Sequence, residues 1–161
     1  MSKILIYWIP LLLWAFVIFG FSSQPYEKQD LRPLIGKQID QEKAKEMLQH
    51  VKVEYAGREI SVQSLGVPGF IEFFIRKGAH LTEYFILGFL IYRAFWSTGY
   101  SKRKLLVFAL LLSILYAASD EFHQMFTSNR TPHVEDVVLD SIGAFLGIEL
   151  ASLFYRQDRR L

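Results

Sequence analysis

The sequence predicts an all-α integral membrane protein, with four transmembrane helices in a bundle and a small extracytoplasmic segment between the first and second. Three observations carry this expectation. Hydrophobic residues make up 52% of the 161 residues and aromatic ones 16%, more than a soluble domain of this length needs. Mean hydropathy is +0.21, and the apolar residues gather into blocks. Lysines and arginines collect at the edges of those blocks, as they do beside membrane spans.

The length suits one domain over residues 1–161. A net charge of +2 gives no reason to expect a polyanionic partner, so the reading includes no nucleic acid. The chain has no cysteine, which excludes disulfides, thiolate metal ligands and cysteine nucleophiles.

The first expected helix covers about 4–21, an uncharged block long enough for a hydrocarbon core of about 30 Å. Pro10 is expected to bend it. Its length, its aromatic content and the lack of a small-residue cleavage site favour an uncleaved helix over a signal peptide. An extracytoplasmic insertion of about 25–69 follows. Within it Asp40–His50 suits a short helix, and Lys52–Val62 alternates in β fashion around Ala56-Gly57, which predicts a hairpin. Composition alone favours a small solvated cap without chemistry. Gly66-Val67-Pro68-Gly69 reads as a break before the second helix, about 70–96. The third helix covers about 104–124 and the fourth about 134–155.

Lys3, the Lys102–Lys104 trio and the arginines after Tyr155 fall on one side of such a bundle. The positive-inside rule makes that side cytoplasmic, with both termini inside and the chain in the cell membrane. The polar groups of all four helices then meet at the outer side. Ser22, Ser23 and Gln24 end the first helix, and Arg76, Lys77, His80 and Glu83 begin the second. Asp120, Glu121, His123 and Gln124 end the third, and Asp136 and Asp140 begin the fourth. At about 100° per residue, Arg76, His80 and Glu83 share one stripe and Asp120 and Gln124 another. Asp136, Asp140, Gly143 and Gly147 share a third, in which glycine at i, i+4 allows two helices to approach closely. Carboxylates within a span are costly toward lipid, so Glu83 and Asp140 should face inward, with Arg76, Lys77 and Arg130 as the expected partners. His50 and His133 read as solvated.

At these residues the sequence resembles the VanZ-like family. The likeness rests on Phe21-Ser22-Ser23-Gln24, on Arg76-Lys77-Gly78-Ala79-His80 with Glu83-Tyr84 and Leu87-Gly88, and on Asp120-Glu121-Phe122-His123-Gln124 with Phe126, Arg130, Asp136-Val137, Asp140, Gly143 and Gly147. The long segment Glu27–Gly69 departs from the pattern. The resemblance implies a small multi-pass bacterial envelope protein, and it implies a link to low-level resistance to teicoplanin, a glycopeptide that binds wall precursors outside the membrane. That is a phenotype and not a reaction.

The same residues support several chemistries. His80, Glu83, Asp120, His123, Asp136 and Asp140 can converge on a divalent cation, although the spacing is not that of a di-iron bundle and no thiolate supports zinc. No metal ligand is therefore assigned. As an enzyme, the protein would use Glu83, His123, Asp140, Asp120 and Glu121 as acids and bases; no nucleophile stands out, and Ser22 and Ser23 are candidates without a visible activating neighbour. Arg76, Lys77 and Arg130 would clamp a phosphate, and His80, Gln124, Asp136, Ser22, Ser23 and Gln24 would complete the binding surface. The partner would be a membrane lipid or a lipid-linked envelope precursor at the outer leaflet. The other readings are a non-catalytic binding protein for an envelope lipid, antibiotic or partner protein, and a purely structural ion-pair network.

Overall fold

The computed structural model describes residues 3–127 and 131–155. In order the elements are α1 (Lys3–Ser22), a 3-10 turn (Tyr26–Lys28), α2 (Arg32–Gln38), α3 (Gln41–Leu48), β1 (Lys52–Tyr55), β2 (Arg58–Ser61), α4 (Val62–Trp96), α5 (Lys102–Gln124) and α6 (Val134–Phe154). The molecule is mostly helical, and three helices are long and apolar enough to cross a membrane: α1 over Leu5–Ser22, α5 and α6.

The remaining expected span, the second, corresponds to α4, which has no stretch as long and apolar as those of the other three because Glu72, Arg76, Lys77, His80, Glu83 and Arg93 are spread along it. Its position explains how it tolerates them. α6 packs along it most extensively, α5 and α1 flank it, and the insertion covers its first turns. Tyr84, Leu87, Ile91, Tyr92 and Ala94 of α4 are buried in the main core with Ala109, Ala117, Ala144, Ile148 and Ala151.

The α4–α6 contact is close because glycines line it. A Cβ on Gly147 would overlap the Phe85 carbonyl oxygen, one on Gly143 the Leu81 carbonyl oxygen, and one on Gly88 the backbone of Ala144. α1 runs through Pro10 without a break. It is tied to the bundle by Trp14, whose indole N–H donates to the Glu83 carbonyl at 2.9 Å. From α5, the Tyr116 hydroxyl donates to the Ala15 carbonyl at 2.6 Å.

The insertion is more ordered than a loose cap. Asp40 caps α3 by accepting from the Lys43 N–H at 3.2 Å. The hairpin pairs Lys52 with Ser61 and Tyr55 with Arg58. Its two turn residues, Ala56 and Gly57, have φ of 51° and 70°, as a tight two-residue hairpin turn requires. Ile60, Val62, Val67 and Phe70 form a second apolar cluster, against which Ile39, Leu48 and Tyr55 pack. The expected break at Gly66–Gly69 is present at its first residue, and a short capped turn precedes it. α4 already begins at Val62, capped by Ser61, whose hydroxyl accepts from the Ser64 N–H while the Ser64 hydroxyl accepts from the Ser61 N–H, each at 3.1 Å. Gly66 leaves helical geometry (φ 68°, ψ 167°), so the break falls there and separates the turn at 62–65 from the long helix that follows. Pro68 sits two residues past the kink, where its missing N–H costs no helical bond.

Candidate functional site

The polar ends of α1, α4, α5 and α6 meet at one end of the bundle, under the insertion. Two cavities lie there. The larger, about 550 Å³, lies between the insertion and the helices. Tyr26, Arg32, Tyr55 and Arg58 wall it from the insertion; Glu72, Arg76, Lys77 and His80 wall it from α4; and Gln124, His133 and Asp136 close the far side. The smaller, about 380 Å³, lies among α1, α4 and α5. Ile18, Phe21, Leu31, Ile75 and Ala79 give it an apolar wall, and Ser22, Glu83 and Asp120 a polar one. Arg76, His80 and Gln124 border both cavities.

The charges beside the larger cavity are ordered by two buried carboxylates. Asp136 accepts from both the Lys77 ammonium and the Tyr55 hydroxyl through the same oxygen. The Lys77 ammonium also lies 4.5 Å from the centre of the Tyr55 ring and 5.5 Å from that of Phe73. Glu72 accepts from the Tyr26 hydroxyl at 2.8 Å and from the Leu31 N–H at 3.1 Å, with Arg32 Nε at 3.7 Å. Arg32 is itself forked onto Asp30, at 2.8 and 2.7 Å. These contacts set the ionisation of the insertion. Burial, and then the bond to Glu72, push the Tyr26 phenol up to about 12, so it remains a donor at neutral pH. Burial and the bond to Asp136 raise the Tyr55 phenol likewise. The hydrogen bonds from Arg32 pull the Asp30 carboxyl down to about 2.

Arg76 differs from these cations. It lies 4.8 Å from the centre of the Tyr26 ring and forms no direct ion pair among the described residues, although its charge reaches Asp30 and helps hold that carboxyl low. Behind the cavities, His80 Nδ1 is 3.5 Å from Asp140 Oδ1. The Asp140 carboxylate is 1% exposed and accepts no hydrogen bond from a described residue.

Of the residues singled out from the sequence, Ser22, Arg76, Lys77, His80, Glu83, Asp120, Gln124 and Asp136 line one or both cavities. Gln124 Nε2 also donates to Asp120 at 3.1 Å. The others lie elsewhere. Asp140 is buried behind His80 and lines neither cavity. Glu121 is buried and accepts from the His133 N–H at 3.1 Å, which pins the entry to α6. Ser23 and His123 pair with each other at 3.2 Å, with the imidazole stacked on Phe19 at 4.7 Å. Gln24 lines neither cavity, and Arg130 lies outside the described residues.

Three expectations need correction. Lys77 pairs with Asp136, and Asp140 faces His80, so Lys77 is not the partner of Glu83 or Asp140 that the cost of a lipid-facing carboxylate suggested. His133 is half-buried, not solvated. The insertion is part of the cavity wall, and Tyr26, Arg32, Tyr55 and Arg58 went unnoticed in the sequence. Glu72 went unnoticed as well, although it lies one turn before Arg76 on the same stripe. Among the described residues no three His, Asp or Glu side chains converge closely enough to hold a metal ion.

A family model described as VanZ/LLP1 matches residues 7–155. No curated protein and no solved structure matches the chain. The match begins inside α1, ends after α6 and takes in every cavity-lining position described above. With three helices apolar enough to span a bilayer, this chain is a membrane protein and belongs to the VanZ/LLP1 family.

Proposed function

We propose that the protein holds the phosphate of a lipid-linked precursor at the outer face of the bacterial cell membrane. It does so with four spanning helices, both termini in the cytoplasm and the insertion outside. The observation that carries this reading is Arg76. Its guanidinium stands where the two cavities meet, half-buried, with no carboxylate among the described residues in a direct ion pair with it. A planar guanidinium in such a place suits a phosphate oxyanion, and the apolar wall beside it suits a lipid.

Turnover is the second reading, and one observation favours it. Ser22 Oγ is buried with no hydrogen-bond partner among the described residues, in the cavity that also holds Glu83 and Asp120. A nucleophile and two carboxylates in one cavity are the parts that transfer of a head group needs.

Purified protein should carry phosphorus-containing envelope lipid that mass spectrometry detects, and Arg76→Ala should lose most of it. Equal lipid on both proteins would sink the reading. Loss or transfer of the head group that stops in Ser22→Ala and Asp120→Asn separates an enzyme from a binder. In cells, a shift in teicoplanin susceptibility that also depends on Arg76 would link the site to a resistance phenotype.

A further inference from the structure

The two cavities differ in ways that constrain the ligand. The larger is about 550 Å³, within the roughly 300–1,000 Å³ that encloses a whole drug-sized molecule. A bare phosphate, about two water volumes or ~60 Å³, would leave most of it empty. Its wall offers donors and acceptors of both signs. Arg58 is exposed there and forms no ion pair among the described residues, while Gln124, Thr131 and His133 add further polar groups. Such a wall fits hydroxyl groups, which both donate and accept.

The smaller cavity is apolar on one side, and Phe21 and Ile75 on its rim are exposed. In a membrane protein, exposed apolar rims at helix level face hydrocarbon. Arg76 borders both spaces. A phosphate held there has one neighbour region that is apolar and one that is polar.

We infer that the ligand is a phosphodiester lipid, with its hydrocarbon root in the smaller cavity, its phosphate at Arg76 and a polyhydroxylated head group of sugar size in the larger cavity. The inference rests on the reading that Arg76 holds a lipid phosphate. It goes further by requiring substituents on both sides of that phosphate, so a phosphomonoester lipid is a poor ligand.

The test uses full-length protein in detergent micelles and native mass spectrometry with matched acyl chains. The probes are diacylglycerol, phosphatidic acid, phosphatidylglycerol and phosphatidylinositol, with glycerophosphoinositol as the chain-free control. Phosphatidylinositol should bind at least about tenfold tighter than phosphatidic acid, because a polar wall left unfilled discriminates strongly. Phosphatidylglycerol should fall between them, and glycerophosphoinositol should bind about tenfold or more weakly than the lipid that carries its head group. Arg58→Ala should weaken phosphatidylinositol more than phosphatidic acid and so narrow the preference between them. Ala79→Trp, which fills the smaller cavity from an exposed position, should weaken every lipid. An unchanged thermal midpoint verifies folding of both variants. Phosphatidic acid binding as well as phosphatidylinositol overturns the two-cavity assignment and leaves the phosphate reading standing. Equal binding of the chain-free control also overturns it. Phosphate lipids that bind no better than diacylglycerol overturn the phosphate reading itself.

Discussion

Lys77 and Asp136 join α4 to α6 at a place where neither charge is well hydrated; their side chains are 20% and 10% exposed. A buried pair gains little over a well-packed apolar replacement, but breaking it by removing one partner strands a charge. Lys77→Met alone, or Asp136→Leu alone, should therefore lower stability by about 3–5 kcal/mol, and the double variant should recover most of that loss. Thermal unfolding in detergent measures it, and single variants as stable as the double would exclude an energetically important pair. The residue scale also marks how far the site was legible. The Arg76, His80 and Glu83 stripe follows from helical period alone, and Glu72 obeys the same rule one turn earlier. Tyr26 and Tyr55 reach Glu72 and Asp136 across sequence separations of 46 and 81 residues, which no local pattern encodes. That Lys77 meets Asp136 and not Asp140 has the same cause. Phase names the face of a helix, and the depth of the facing helix decides which side chain is met.

At the scale of elements, the glycines at 143 and 147 predict a tight seam, but they do not name the helix that fills it. The partner is α4, whose carbonyls at Leu81 and Phe85 occupy the space that side chains would take. Gly147→Ala forces helix backbones apart, so it should cost about 1–3 kcal/mol and lower the thermal midpoint. Gly78→Ala, on the same α4 but with open space where the Cβ would stand, should be neutral or gain up to about 1 kcal/mol from helix propensity. If Gly147→Ala unfolds no earlier than Gly78→Ala, the seam is looser than its geometry. The apolar helices α1, α5 and α6 were readable because continuous hydrophobicity needs no partner to be recognised. The capped turn ahead of the break at Gly66 was not, because the Ser61–Ser64 capping box starts it before the Gly and Pro of 66–69, which do interrupt the helix as they read. Nor was α2, seven residues containing both Pro33 and Gly36, whose one buried side chain is Ile35. Such a helix owes its existence to its neighbours.

For the whole molecule, charge and polarity separate along the bundle. The start of α1 meets the end of α4, with Tyr7 6.3 Å from Trp96 and Trp8 4.9 Å from Phe95, and α5 begins just beyond with Lys102, Arg103 and Lys104. Both cavities lie at the opposite end. If the basic end is cytoplasmic, as the positive-inside rule requires, the cavities open where outer-leaflet lipids are reachable. The chain has no native cysteine, so single-cysteine variants report each side without background. Glu54→Cys on β1 and Thr98→Cys in the turn after α4 both replace exposed residues. In intact cells a membrane-impermeant maleimide should label Glu54→Cys, and it should label Thr98→Cys only after the membrane is opened. The reverse pattern would put the cavities inside the cell and remove outer-leaflet precursors from the candidate ligands. Labelling of both sites in intact cells would mean that α4 does not cross the bilayer. The bundle would then hold its most polar helix at the membrane surface, and Arg76 would meet lipid head groups from the side instead of from within.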